Sequence, residues 1–354
     1  MVEPVPLWPR RPMSPGEQLL LAADVGGTHA RVGLVRGTRG GRISVLSYRK
    51  YACSDFPSLT AILRDFLTTE AKLAVQHCAL ACAGYVLDDA VINYNLPWPL
   101  SLSELKRELG VRDLALINDF EAVAYAVRFI DPGKTQLLAG PKHSDGTVIM
   151  VGPGTGLGSA VCIHGKSGDT VLATEAGQTN LAPGTAAERE VLARLAGHET
   201  YVPHERVLCG PGLVTLYGVL AAMHSAPSPL KTPEAVTAAA LNKNDAIAEE
   251  TLHMFCALLG SFVGNLVLLY GARGGVYLTG GILPGMRDFL MRSRFVERFL
   301  DKGRMRAYLE RVPVRLVEHG QLGVIGAANW YLENHVQEHA DDNGNSRHLR
   351  GLPR

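Results

Sequence analysis

The chain has 354 residues, 47% of them hydrophobic and 19% charged, the balance of a globular protein long enough for two domains. Its 35 basic and 34 acidic residues leave a formal net charge of +1, and with no basic block along the chain nucleic acid is excluded as a partner. The apolar runs read as too short or too interrupted to span a bilayer, so no membrane partner is expected either.

In chain order, residues 1–18 form a proline-containing tail without an apolar h-region, expected to be disordered rather than a signal peptide. The first strand, at 19–25, is an apolar run that carries a single carboxylate, Asp24. Gly26, Gly27 and Thr28 follow, and the chain resumes as a second strand over 30–36. A turn of this kind can be tight, and its N–H groups can approach an anion closely. Asp24 stands where a carboxylate would hold Mg²⁺ through water, because Mg²⁺ prefers hard oxygens and keeps much of its hydration. Strand–turn–strand is not the strand–turn–helix of a P-loop or Rossmann site. The plain alternative is an ordinary hairpin with a glycine turn.

Further strands are expected at 43–50 and 76–83, and a helix at 57–70 opened by Pro57 and Ser58. A helix over 102–109 begins at Ser101 or Ser103, with Glu104 in its first turn. A short buried strand at 114–117 runs into Asn118-Asp119, and a helix over 120–129 follows. Asp119 has two readings here, a rigidly placed general base or the N-cap of that helix. A second hairpin over 147–164 repeats the first design, its turn holding Gly154, Thr155 and Gly156. Two such hairpins, each opening half of the chain, predict an internally duplicated fold that clamps a phosphate chain between its halves. Helices follow at about 186–196, 211–224, 233–240 and 245–270, then a strand at 275–279 ending on Gly280-Gly281, a last helix at 322–335 and a polar, disordered tail over 336–354. The six cysteines, at 53, 78, 82, 162, 209 and 256, form no C-x-x-C pair and no His/Cys group with zinc spacing. They read as reduced buried thiols of a cytoplasmic protein.

Taken together, Asp24-Val-Gly-Gly-Thr28, Leu96-Pro-Trp98, Ile117-Asn-Asp-Phe120, Gly152-Pro-Gly-Thr-Gly-Leu-Gly158, Glu175-Ala-Gly177, Glu205-Arg-Val-Leu-Cys-Gly-Pro-Gly-Leu213 and Leu278-Thr-Gly-Gly-Ile282 resemble the bacterial-type glucokinase family, within the sugar kinase, Hsp70 and actin superfamily. The resemblance runs from about Leu20 to Leu332. It implies an α/β, two-domain actin-like ATPase (ribonuclease H-like) fold with the active site in an interdomain cleft. The small domain would span 19–117 plus 322–335 and the large one 118–321. It also implies ATP-dependent phosphorylation of glucose to glucose 6-phosphate, with ATP and Mg²⁺ as cofactors, in a cytoplasmic homodimer.

The family's base falls on Asp119, and its sugar ligands on Asn95, Asn118, Asp119, Glu175 and Glu205. Asn93 is an alternative register for Asn95, and a pairing with Arg206 is the bland reading of Glu205. Gly26, Gly27 and Thr28 would face the γ- and β-phosphates, with Gly154, Thr155 and Gly156 meeting them from the other half. Gly280 and Gly281 would lie along the adenosine, and Asp24 would hold Mg²⁺ through water. No Walker lysine is present, so positive charge must come from the metal and from backbone N–H groups.

One position departs from the family pattern. The usual Glu-Gly-Gly-His is Glu175-Ala176-Gly177-Gln178, and Asn180 replaces a more usual acidic residue. Gln178 still donates and accepts hydrogen bonds but carries no charge. Two rivals therefore stay open: a sugar-binding sensor with weak catalysis, and a kinase for mannose, N-acetylmannosamine or fructose. The zinc-binding cysteine motif and N-terminal helix-turn-helix of the related repressor branch are absent from the sequence.

Overall fold

The computed structural model describes residues 13–71, 75–92, 96–165, 168–318 and 320–335. Asn93 and Asn95, most of the expected N-terminal tail and all of the C-terminal one lie outside the described residues. The chain divides into two compact units, residues 1–129 with 321–354, and residues 130–320.

The first unit is built on a five-stranded sheet of order β3-β2-β1-β4-β7, formed by β1 Gln18–Val25, β2 His29–Gly37, β3 Ile43–Ala52, β4 His77–Cys82 and β7 Asp113–Ile117. β1, β2 and β3 are antiparallel, while β1, β4 and β7 run parallel. All of β4 from Cys78 to Cys82 is buried, as expected for an apolar run covered on both faces. α1, Leu59–Phe66, starts where the Ser58 side chain accepts the Ala61 N–H at 3.1 Å, and the chain goes on as a π-helical turn over Leu67–Ala71. α2, Leu102–Leu109, is capped by Ser101, while Ser103 hydrogen-bonds Asp89. A small hairpin of β5, Tyr85–Leu87, and β6, Ala90–Ile92, was not anticipated. Its turn residues Asp88 and Asp89 both have positive φ, 46° and 75°, as a two-residue turn that matches strand twist requires.

α3, Asp119–Tyr125, and the C-terminal helix α11, Leu322–Asn334, complete this unit. They pack closely because α11 presents Gly326, where an added Cβ would stand 1.7 Å from the Ala122 carbonyl oxygen. This packing carries the unit boundary to Phe129, beyond the position expected just before Asn118.

The second unit has a six-stranded sheet of order β11-β10-β9-β12-β13-β8, from β8 Gln136–Ala139, β9 Val148–Pro153, β10 Leu157–Gly165, β11 Gly168–Thr174, β12 Gly275–Leu278 and β13 Val314–Leu316. Apart from the antiparallel edge strand β8, it repeats the first sheet. An antiparallel hairpin is flanked by a third antiparallel strand on one side and two parallel strands on the other. This is the duplication that the paired hairpins predict. The helices are α4 Ala186–Ala196, α5 Gly210–Met223, α6 Pro233–Leu241, α7 Ala246–Tyr270, α8 Arg287–Arg292, α9 Phe295–Leu300 and α10 Arg306–Leu309. α7 is, contrary to expectation, long and apolar enough to cross a membrane. However, 72% of its most apolar window is buried inside the unit, and Phe255, Leu259, Phe262 and Val263 lie in the core. It is the central core helix, packed against α5, α6 and α9.

The α3–α11 contact yields a direct test. Gly326→Ala must push the two helices apart, and overpacking of this kind costs about 1–3 kcal/mol. The urea midpoint should fall. An unchanged midpoint would show that the helices do not pack this closely.

Candidate active site

Within the first unit, the parallel strands bring two sequence motifs to one edge. Val25 lies beside Cys82, and Ala81 beside Ile117. The turn after β1 and the Asn118-Asp119 pair after β7 therefore both sit at carboxyl ends of parallel strands, the usual ligand edge of an open α/β sheet. The turn is tied by Gly26 N–H to the His29 carbonyl at 3.0 Å and by Cys53 N–H to the Thr28 carbonyl at 2.9 Å. Neither Gly26 nor Gly27 is among the glycines with positive φ. A Cβ at Gly26 would meet nothing closer than the His29 carbonyl oxygen at 3.5 Å. The absence of a side chain there keeps space open and is not a demand of the backbone.

Asp24 stands directly across the hairpin from Arg31. Its Oδ2 accepts from Arg31 Nη1 at 3.1 Å, the two side chains being 21% and 32% exposed. Burial pushes the Asp24 carboxyl above the usual carboxylate range, and the Arg31 guanidinium pulls against that shift. The first turn of α11 presses on the same carboxylate, since a Cβ at Gly323 would come within 2.6 Å of Asp24 Cγ. A single hard-oxygen ligand beside an open turn suits Mg²⁺, which is commonly held by one or two carboxylates plus substrate phosphates.

The N-cap of α3 is Asn118, whose Oδ1 accepts from Phe120 N–H at 3.0 Å and Glu121 N–H at 3.2 Å. The capping role thus falls on Asn118. Asp119 is the first residue of the helix, with its Oδ1 accepting from Phe120 N–H at 2.9 Å, where the helix dipole favours a negative charge. Burial raises the pKa of Glu121 in the same turn.

Within the second unit, β12 runs parallel to β9, and Thr279 N–H donates to the Val151 carbonyl at 2.8 Å. The Gly280-Gly281 step therefore lies beside the Gly154–Gly156 turn. Gly280 is required by the fold, having φ of 100° and a Cβ position 2.4 Å from the Pro153 carbonyl oxygen. Gly154 and Gly281 have nothing within 4 Å of a Cβ, and Thr155 is exposed. The Gly154 carbonyl accepts from Gly210 N–H at 2.8 Å, which anchors the turn to the start of α5.

Glu205 organises the remaining residues. Its Oε2 accepts from Leu157 N–H at 2.7 Å and its Oε1 from Gln178 Nε2 at 3.0 Å, so its partners are these groups rather than Arg206. A Cβ at Gly156 would lie 2.6 Å from Glu205 Oε2, and one at Gly177 would lie 2.4 Å from the Leu157 carbonyl oxygen. Both glycines let the segments close on one another. The Tyr201 hydroxyl donates to the Gln178 carbonyl. Glu175 is exposed, its carbonyl accepting from Gln178 N–H at 2.9 Å. Glu175, Gln178 and Glu205 are thus brought together beside the second turn. Arg31, Tyr201 and Gly323 were not anticipated. Arg31 was within reach of sequence reasoning, because a hairpin folded at Gly26–Thr28 sets it opposite Asp24.

Two like-ordered α/β sheets, each with a glycine-rich turn closing its antiparallel hairpin, define a duplicated two-unit α/β protein. Residues 21–334 match the family model described as Glucokinase. A glucokinase-like protein of Xylella fastidiosa is 47% identical, the match covering 90% of this chain and 96% of that protein. A glucokinase of Saccharophagus degradans is 36% identical, with 88% and 97% covered. The solved glucokinase of an Antarctic psychrotroph superposes with a TM-score of 0.77 at 34% identity, covering 89% of this chain and 98% of that one. The chain belongs to the glucokinase family, and is an enzyme of that family.

Removal of Arg31 should expose the electrostatics of Asp24. Arg31 lowers the Asp24 pKa, so Arg31→Gln raises it further. A carboxylate that must be ionised is lost as pH falls through that pKa, so the acid limb of kcat/KM for MgATP should move to higher pH with the alkaline plateau less affected. A pH profile superimposable on the wild type would separate Asp24 from the nucleotide step.

Proposed function

We propose that the chain transfers the γ-phosphoryl group of ATP to the 6-hydroxyl of glucose, giving glucose 6-phosphate, with Asp119 as general base. The observation that carries this reading is the placement of Asp119. It opens α3 at the same strand edge as the Gly26–Thr28 turn, while Asn118 caps the helix. As the sugar oxygen forms its bond to phosphorus, Asp119 takes the hydroxyl proton. Glu175, Gln178, Glu205 and the Asn118 amide hold the sugar hydroxyls, carboxylates being able to accept from two donors each. Asn95 remains a proposed contact. Gly26, Gly27 and Thr28 in one unit and Gly154, Thr155 and Gly156 in the other present backbone N–H groups to the phosphates, and Gly280-Gly281 leaves room for the adenosine. Asp24 holds Mg²⁺ through water, and the ion when bound neutralises charge on the phosphoryl oxygens. The two units are proposed to close on their substrates in an actin-like manner, which excludes water and suppresses ATP hydrolysis. Six buried cysteine thiols fit a reducing, ATP-supplied cytoplasm.

The test is ADP release measured over glucose, mannose, fructose and N-acetylmannosamine, with and without Mg²⁺. Asp119→Asn should lower kcat by about 10²–10⁴-fold in a folded protein. Retention of more than about a tenth of wild-type kcat would remove Asp119 as the base.

The hydrogen bond from Gln178 to Glu205 favours a second reading, in which sugar selectivity differs from that of chains with histidine at this place. Gln178→Ala should raise the KM of the preferred hexose by roughly five-fold to a hundred-fold, the effect of a lost hydrogen-bond partner worth about 1–3 kcal/mol. Gln178→His should preserve turnover. An Ala variant with every hexose KM unchanged would take residue 178 out of the sugar site.

A further inference from the structure

Outside the kinase site, the hairpin of β10 and β11 gathers three side chains of metal-binding type. Cys162 and His164 are two residues apart on β10 and so share a face. Asp169 on β11 is the direct cross-strand partner of His164. Their donor atoms all lie within 4.8 Å of one another. Cys162 Sγ is 4.0 Å from His164 Nδ1, and His164 Nδ1 is 2.9 Å from Asp169 Oδ1. No zinc spacing is legible along the chain, because neither Cys-x-His nor the aspartate five residues on matches a finger or ribbon pattern. Strand pairing brings them together.

We propose that Cys162, His164 and Asp169 form a binding site for a zinc-type divalent cation, separate from the phosphoryl-transfer centre. A tetrahedral zinc with bonds of about 2.0–2.3 Å sets neighbouring ligand atoms roughly 3.3–3.6 Å apart. The observed spacings bracket that range, so small side-chain movements suffice. One thiolate, one imidazole and one carboxylate select a borderline ion over Mg²⁺ or Ca²⁺, which favour all-oxygen sets. Cys162 is buried, Asp169 is partly buried and His164 is exposed. The ion would therefore sit at the surface with its remaining position open to water, the arrangement of three protein ligands plus solvent. On binding, the His164–Asp169 hydrogen bond gives way to two metal–ligand bonds, and the thiol of Cys162 gives up its proton. The site lies at the end of β10 away from the Gly154–Gly156 turn. Five to seven residues of strand separate it from Leu157, roughly 16–23 Å. Its ion would pin the hairpin without meeting the nucleotide.

The experiment uses untagged, chelator-stripped, full-length protein titrated with Co²⁺, and with Zn²⁺ in competition with a chromophoric chelator. A single Co²⁺ should bind with a near-ultraviolet thiolate-to-cobalt band that Zn²⁺ displaces, and Zn²⁺ should raise the melting temperature. Cys162→Ser should abolish the band. Because Cys162 is buried, the surface variants His164→Ala and Asp169→Asn carry the test independently of folding, each weakening Zn²⁺ by at least about tenfold. His224→Ala, which removes an exposed imidazole paired with Glu250 elsewhere, should leave affinity unchanged. Absence of a cysteine-dependent band at saturating Co²⁺, or Zn²⁺ affinity that survives both surface substitutions, overturns the proposal.

Discussion

The close approach of α11 to its neighbours is the constraint on which the first unit depends. Two glycines three residues apart share one helix face. Gly326 lets the backbone settle against the Ala122 carbonyl of α3, and Gly323 lets it settle against the Asp24 carboxylate at the end of β1. The helix is locked there by polar groups as well as by packing. Asn329, buried, accepts from Arg128 Nη2 at 2.9 Å and donates to the Tyr125 carbonyl at 3.0 Å, so both ends of its amide are satisfied. The Tyr331 hydroxyl lies 2.8 Å from His77 Nδ1 and 2.7 Å from Asp113 Oδ2, which ties the helix to β4 and β7. One element thus fixes both the carboxylate that ends β1 and the helix that begins with Asp119. Rigid elements place reacting groups more reliably than loops do.

In the second unit the equivalent organiser is a side chain. Glu205 accepts one N–H from Leu157 and one amide hydrogen from Gln178, one on each carboxylate oxygen, and each oxygen keeps a further lone pair. With histidine in place of Gln178, the partner of Glu205 would change charge near neutral pH. Glutamine supplies an amide donor that does not itself titrate. The departure at residue 178 therefore acts on its surroundings through the hydrogen bond to Glu205.

The hairpins β1–β2 and β9–β10 were legible because apolar runs stop at glycine-rich turns, and Asn118-Asp119 was legible because a buried strand ends there. The boundary near Phe129 was not, since it rests on α3 meeting α11 across nearly two hundred residues. β5–β6 escaped because its turn uses Asp88 and Asp89 instead of glycine. β11 escaped because an edge strand with most of its residues at the surface lacks a strong apolar signal. β13 is only Val314–Leu316 with a buried arginine in the middle, and pairing to β12 defines it. α7 was legible as a helix, but being apolar over most of its surface it is told from a membrane span only by what packs around it. At the site, the turns and carboxylates were readable, whereas the closures of Gly156 on Glu205 and of Gly177 on Leu157 depend on tertiary contact and leave no local pattern.

The glycines sort into two kinds with different causes. At Gly156, Gly177, Gly280, Gly323 and Gly326 the position of a Cβ is already taken by protein atoms, so the fold alone explains them. At Gly26 in the first unit, and at Gly154 and Gly281 in the second, a side chain would meet no such obstacle and φ is not positive. Glycine at such places costs backbone entropy on folding without relieving any contact, so folding alone favours a residue with a Cβ. What the missing Cβ leaves there is open space beside the backbone. Openness alone does not mark a site, since Gly218 and Gly285 also have nothing within 4 Å of a Cβ; what sets Gly26, Gly154 and Gly281 apart is that each lies in or beside one of the two hairpin turns, while the closed glycines belong to the scaffold that holds those turns in position.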